Sequence, residues 1–189
     1  MLKILAFAGS VSKNSINKKL INSTIPDLER IGYEVTVIDL SDYPLPVYNV
    51  DIKASEFPEE AVKLFDLMLE NQVWLISSAE HNGSIPVCLK NLIDWVSRSP
   101  DNQPNLSAFK DKIVALMSAS PSTSGGSRSL RHLRDILIVL NCLVIPSQAS
   151  VSNAYSAFDE QNNLTDVQAK KAVGDVLGQL YEVSSKILK

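Results

Sequence analysis

Five short apolar runs rich in β-branched residues constrain this chain more than any other feature: Leu2–Ala8, Tyr33–Asp39, Gln72–Ser78, Lys112–Ser118 and Leu143–Ala149. Between them lie stretches of helical periodicity, at about Ser15–Ile31, Pro58–Asn71, Pro86–Arg98, Ser127–Leu140 and Thr165–Leu188. Strands that are apolar on both faces need helices on both sides, and strand–helix alternation delivers that through parallel crossovers. The expectation is an α/β fold with a doubly wound five-stranded parallel sheet in the order 2-1-3-4-5. Pro58 and Pro86 suit first helical positions, and Thr165-Asp166 marks the start of the last helix. At 189 residues the chain reads as a single domain, 1–189, with its longest irregular segments at Ser41–Phe57, Ser99–Lys110 and Ser150–Leu164.

In such a sheet, ligands bind beyond the carboxyl ends of the strands, so the first strand-to-helix turn carries the most information. It reads Gly9-Ser10-Val11-Ser12-Lys13-Asn14-Ser15-Ile16-Asn17 and opens a helix whose apolar face is Ile16, Leu20, Ile21 and Ile25. A helix N-terminus offers free N–H groups and a positive dipole end, to which Ser10, Ser12, Ser15 and Asn17 add side-chain donors for an anion. The plain alternative is that Ser15 only caps the helix. The turn is not a dinucleotide fingerprint, because Val11 and Asn14 stand where glycines are needed, and no Gly-Lys-Ser/Thr follows to make a P-loop. A hydroxyl-rich, glycine-poor loop suits a terminal phosphate monoester such as that of FMN. Two further turns face the same edge, Ser77–Pro86 and Ser118–Ser127. With strands one, three and four adjacent, the three turns converge on one crevice, where backbone N–H groups near Ala79, Glu80, His81, Asn82, Gly83, Ser118, Ser120 and Gly125 would hold a planar heterocycle.

Composition excludes other classes. A net charge of −3 and the lack of a basic run argue against a nucleic-acid partner. Apolar stretches are too short to span a membrane and the N-terminus lacks a signal-peptide layout, which places the chain in the cytoplasm. Cys88 and Cys142, expected in a helix and a strand, lack metal or redox spacing and read as buried thiols.

The motifs also resemble the NADPH-dependent FMN reductase family, which includes flavin, quinone, chromate and azo-dye reductases of flavodoxin-like fold. The family's opening Gly-Ser-x-Arg-x-x-Ser-x-Asn is matched by Gly9, Ser10, Ser15 and Asn17. Its central motif is matched by Glu80, Asn82, Gly83, Ser84, Pro86, Leu89, Lys90, Asn91, Ile93, Asp94, Trp95, Ser97 and Arg98. The resemblance implies that the first loop binds the FMN phosphate and that the Glu80–Ser84 turn lies against the flavin. It also implies NADPH or NADH as electron donor, a quinone, flavin, metal oxyanion or azo compound as acceptor, and a homodimer or homotetramer. Two departures stand out. Ser12 replaces the family arginine, removing a bidentate phosphate donor, and His81 replaces a tyrosine.

Among single residues, His81 reads as a shape or stacking element rather than a catalytic acid, because hydride chemistry belongs to the cofactor. His132, with Arg128, Arg131 and Arg134, reads as a solvated face, with a minor alternative that the arginines attract a dinucleotide phosphate. Asp39 reads as a loop hydrogen-bond acceptor, and Asp94 and Trp95 as packing or subunit contacts. The leading expectation is an FMN-dependent NAD(P)H oxidoreductase; the alternative is a flavodoxin-like electron carrier or redox-sensing module without a nicotinamide site.

Overall fold

A computed structural model describes residues 1–52, 54–99 and 103–188. Its five strands are β1 (Leu2–Gly9), β2 (Tyr33–Ile38), β3 (Val73–Ser78), β4 (Ile113–Ala119) and β5 (Leu143–Val151). They form one parallel sheet in the order β2-β1-β3-β4-β5. The crossovers are α1 (Ile16–Arg30), α2 (Glu59–Glu70), α3 (Val87–Val96) and α4 (Ser127–Val139), and α5 (Val167–Ile187) follows β5.

Alternation along the strands divides the interior in two. Ile4, Ala6 and Ala8 of β1 pack with Leu20 and Leu28 of α1 and Val176 and Leu180 of α5. Leu5 and Phe7 face the other way, with Trp74, Leu92 of α3 and Leu133 of α4. Trp74 meets Phe109 edge-on at 5.6 Å between ring centroids.

Local chemistry moves several expected boundaries. Pro58 and Pro86 are N-caps with extended ψ values of 132° and 150°, one position before the helices they were expected to begin. The last helix is capped by Asp166, whose carboxylate accepts from the Ala169 N–H at 2.7 Å, rather than by Thr165. Cys142 precedes β5, its thiol donating to the Phe109 carbonyl. The segment expected at Ser41–Phe57 contains two short 3₁₀ turns, Leu40–Asp42 and Ala54–Glu56, and residue 53 lies outside the described residues. Residues 100–102 of the Ser99–Lys110 segment do so as well, and its remainder returns through a bridge between Arg98 and Pro104.

On the edge strand, the β4–β5 register slips between Val114 and Leu116, leaving Ile145 to Ser147 out of step. Arg134 of α4 donates to the carbonyls of Val144, Ile145 and Pro146, and Gln179 of α5 accepts from the Ser147 N–H. Arg134 is therefore spent on sheet carbonyls and does not belong to a solvated basic face. Among the described residues, no helix is long and apolar enough to cross a membrane.

Candidate functional site

The loops after β1, β3 and β4 rise side by side from the carboxyl edge of the sheet. Gly9 ends β1 opposite Ser78 of β3. Beyond it, Ser10 donates its N–H to the Ala8 carbonyl at 2.8 Å, and its Oγ accepts from the Ser12 N–H at 3.3 Å. Ser12 and Lys13 are exposed, while Ser15 is buried at the N-cap of α1 without a side-chain capping bond. The plain capping role is thus absent, and the first N–H groups of α1, from Ile16 and Asn17 onward, have no capping side chain.

Serine hydroxyls and helix electrostatics together mark this end. The positive ends of α2, α4 and α5 each carry a carboxylate: Glu59 and Glu60 in the first turn of α2, Glu80 against α4 and Asp166 at α5. The first turns of α1 and α3 have none, and that of α1 lies beside Ser10, Ser12 and Ser15. Three serine hydroxyls around an uncompensated helix N-terminus form a donor set that fits a phosphate monoester. Lys18 is not available to add charge, since its ammonium group pairs with Asp39 at 2.6 Å. Although partial burial pushes the Asp39 carboxyl up, bonds from Lys18 and Ser41 hold it below the usual carboxylate range. Asp39 thus caps the Leu40–Asp42 turn as a loop acceptor.

The structure corrects the role expected of the Asn17 side chain. Its Oδ1 accepts from the Ala119 N–H at 2.9 Å and from Ser77 Oγ at 2.8 Å, while its Nδ2 donates to the Ala119 carbonyl at 3.0 Å. The residue is 4% exposed. Its amide fastens α1 to the ends of β3 and β4, so only its backbone N–H remains for an anion.

After β3, Ala79 and Glu80 lead into a two-residue hairpin. His81 and Ser84 exchange both N–H···O=C bonds at 3.0 Å, and Asn82 and Gly83 occupy positive φ values of 51° and 79°. This is the Asn-Gly turn whose twist matches its flanking strands. Its ladder leaves the N–H groups of Asn82 and Gly83 unpaired among the described residues. The Glu80 carboxylate turns inward instead: it accepts from the Arg128 N–H at 3.0 Å, the Ser129 N–H at 3.4 Å and the Arg128 guanidinium at 3.0 Å. The two backbone N–H groups are donors that Gly126, an N-cap without a side chain, cannot satisfy at the start of α4. His81 is exposed, and His132 reaches Ser84 Oγ at 2.9 Å, tying α4 to the hairpin.

The loop after β4 is laced by hydroxyls, with Ser120, Ser122 and Ser124 joined Oγ to Oγ at 3.0 and 2.9 Å. It is held by the loop after β5, where the Val151 carbonyl accepts from Ser120 and the Ala154 N–H donates back to it. Gly125, at φ 59°, lets the two loops meet: a Cβ there would lie 2.9 Å from the Ser150 carbonyl carbon. Ser118 is fully buried beneath this loop. Its Oγ has no partner among the described residues, and a Cβ on Gly126 would fall 1.9 Å from it. Ser118 therefore lies under the crevice and does not open onto it.

Sequence reasoning assigned Asn91 and Trp95 no chemistry, and the structure gives them a defined task. Asn91 accepts from the Tyr48 N–H at 2.8 Å and donates to the Pro46 carbonyl at 2.9 Å, and the Trp95 indole donates to the same carbonyl at 2.8 Å. Tyr48 and Phe57 stand edge-on to Trp95. The central motif thus pins the segment after β2 onto α3. Asp94 is paired with Lys90 on the helix surface at 2.7 Å.

Comparison with known proteins agrees with this geometry. The family model described as NADPH-dependent FMN reductase matches residues 2–156. An NAD(P)H-dependent FMN reductase of Pseudomonas aeruginosa is 32% identical over 180 residues, covering 95% of this chain and 93% of the relative. An NAD(P)H:quinone oxidoreductase of Solanum tuberosum is 32% identical over 193 residues, covering 99% and 95%. Among solved structures, the flavoenzyme NAD(P)H:(acceptor) oxidoreductase FerB of Paracoccus denitrificans superposes with a TM-score of 0.80 at 23% identity, covering 98% of both chains. An FMN-dependent NADH-azoreductase of Bacillus anthracis in complex with FMN gives 0.61 at 13% identity, covering 99% of this chain and 100% of that one.

Proposed function

The chain belongs to the NADPH-dependent FMN reductase family, and from that premise we propose how its residues serve an FMN-dependent NAD(P)H oxidoreductase. The net reaction takes NAD(P)H, a proton and a quinone to NAD(P)⁺ and a hydroquinone; flavins, metal oxyanions and azo compounds are further acceptors. FMN, when bound, supplies the hydride and electron chemistry.

The protein's part is binding and orientation. Ser10, Ser12 and Ser15, with the N–H groups that open α1 at Ile16 and Asn17, hold the phosphate. The carboxylate-free first turn of α1, beside three hydroxyls, is the observation that carries this reading. The Ala79–Gly83 hairpin and the Ser120–Gly125 loop border the ring, and the unpaired N–H groups of Asn82 and Gly83 are donors for negative charge gained on reduction. Glu80 serves from behind by fixing the start of α4 against the hairpin. The 189 residues work as one FMN-binding domain, in the cytoplasm, as a homodimer or homotetramer.

Anaerobic reduction tests the proposal. With FMN bound, NADPH or NADH alone bleaches the flavin absorption and a quinone added afterwards restores it, with parallel double-reciprocal lines in the steady state. A protein that stays oxidised in excess NADPH and NADH, yet is bleached by dithionite, is an electron carrier and the reading is wrong.

A further inference from the structure

A cavity of about 410 Å³ opens beside the first loop, between the segment after β2 and α3. Its floor is Leu40, Leu64 and Leu92, and among the described residues no Lys, Arg, His, Asp or Glu lines it. Two polar side chains in its wall are already spent, since Ser41 Oγ donates to Asp39 at 2.7 Å and the Asn91 amide is bound to the backbone of Pro46 and Tyr48; the others are the Tyr43 phenol and the Cys88 thiol. A strongly polar ligand would find few partners there, whereas an apolar one would match the leucine and valine walls. The cavity is also preformed, because Asn91 and Trp95 clamp its roof at Pro46.

At its rim stand Val11, Val47 and Val87, 53%, 81% and 76% exposed. Val87 also lines a second groove, whose other walls include His81, Asn82 and Ser84 of the hairpin. The two meet at Val87, at the start of α3, so a ligand lying across that residue would occupy a trough reaching from the hairpin to the apolar cavity.

We propose that this trough selects lipophilic quinones, the redox-active ring lying at the hairpin and an apolar tail entering the cavity between Val47 and Leu92. The proposal rests on the reductase reading above and narrows its acceptor class. Tail contacts far from the reacting ring contribute equally before and during electron transfer, so they lower KM and leave kcat unchanged.

The test uses FMN-loaded protein and 2,3,5-trimethyl-1,4-benzoquinones whose last ring position carries a methyl, propyl, hexyl or decyl group; the fully substituted ring cannot alkylate thiols. KM is expected to fall by about fourfold for each buried methylene until the cavity is full, and Val47→Glu flattens that trend. Cys88 in the cavity wall gives a readout independent of turnover. The hexyl quinone slows its alkylation by N-ethylmaleimide, followed by mass spectrometry, and the methyl quinone does not. Cys142 serves as the inert control, buried with its thiol pushed up to about 12. A KM independent of tail length, with Cys88 alkylated equally fast under all four quinones, overturns the tail site and leaves the reductase intact. Failure to turn over any quinone strikes the reductase reading instead, and the alkylation rates still decide the cavity. Protection of Cys88 without quinone, in a protein of dimer mass, means that a second copy fills the cavity, and also overturns the proposal.

Discussion

Replacing Asn17 by alanine separates a clamp from a ligand contact. The amide makes three buried hydrogen bonds, to the Ala119 N–H, the Ala119 carbonyl and Ser77 Oγ. Truncation strands all three groups in a place water does not reach, at roughly 1–3 kcal/mol for each buried group left unsatisfied. The Ser77 hydroxyl can rotate toward another acceptor, so the low end of that range applies and the total is about 3–4 kcal/mol. Against a typical stability of roughly 5–15 kcal/mol, this is a large loss. The assay is urea unfolding of the apoprotein by linear extrapolation, beside fluorescence titration with FMN under native conditions. Ser15→Ala is the contrasting variant. With no capping bond to lose, its apoprotein stability should shift by less than the ~1 kcal/mol usual for an N-cap. Its FMN affinity should fall by one to two orders of magnitude, for one charge-assisted bond of roughly 1.5–3 kcal/mol. If apo Asn17→Ala unfolds at the wild-type urea midpoint while FMN binding collapses, the amide faces the ligand and the clamp is wrong.

Further outcomes follow from the same geometry. Riboflavin, lacking the phosphate, should bind orders of magnitude more weakly than FMN, and equal dissociation constants would remove the first loop from the site. Ser118→Ala should stabilise the apoprotein by about 1 kcal/mol by deleting a buried hydroxyl without a partner; a loss of that size would show that the hydroxyl is satisfied. Burial of Lys112, which donates to the Leu69 carbonyl at 2.7 Å, pushes its amine down to about 8. The folded state then holds fewer protons than the unfolded one above about pH 8, so stability should rise with pH from about 8 to 9, beyond which burial of Cys142, whose thiol is pushed up to about 12, offsets the gain because the unfolded chain loses that proton first. Lys112→Met should flatten that rise in urea unfolding. Above about pH 10 the trend should reverse, because burial pushes the Tyr33 hydroxyl up to about 12 and the unfolded chain ionises first.

The order of apolar runs determined the architecture by itself. Strands apolar on both faces must lie between helices, and right-handed parallel crossovers leave few strand orders, so β2-β1-β3-β4-β5 and the convergence of three loops were legible from periodicity. Asn-Gly at 82–83 likewise announced its turn, because few residues accept two consecutive positive φ values. Where each polar side chain spends its hydrogen bonds was decided only in three dimensions. Asn17 and Ser15 look alike in the sequence as donors to an anion, yet Asn17 lies beneath the chain ends of β3 and β4 and is consumed by them, while Ser15 caps nothing. Glu80 lies 48 residues from the helix start that it satisfies, and Asn91 43 residues from the loop that it holds. Such pairings follow no period, because they depend on which strand ends the crossovers bring together. The trough past Val87 is of the same kind: a void is the space that packed side chains leave, and no residue pattern along the chain encodes it.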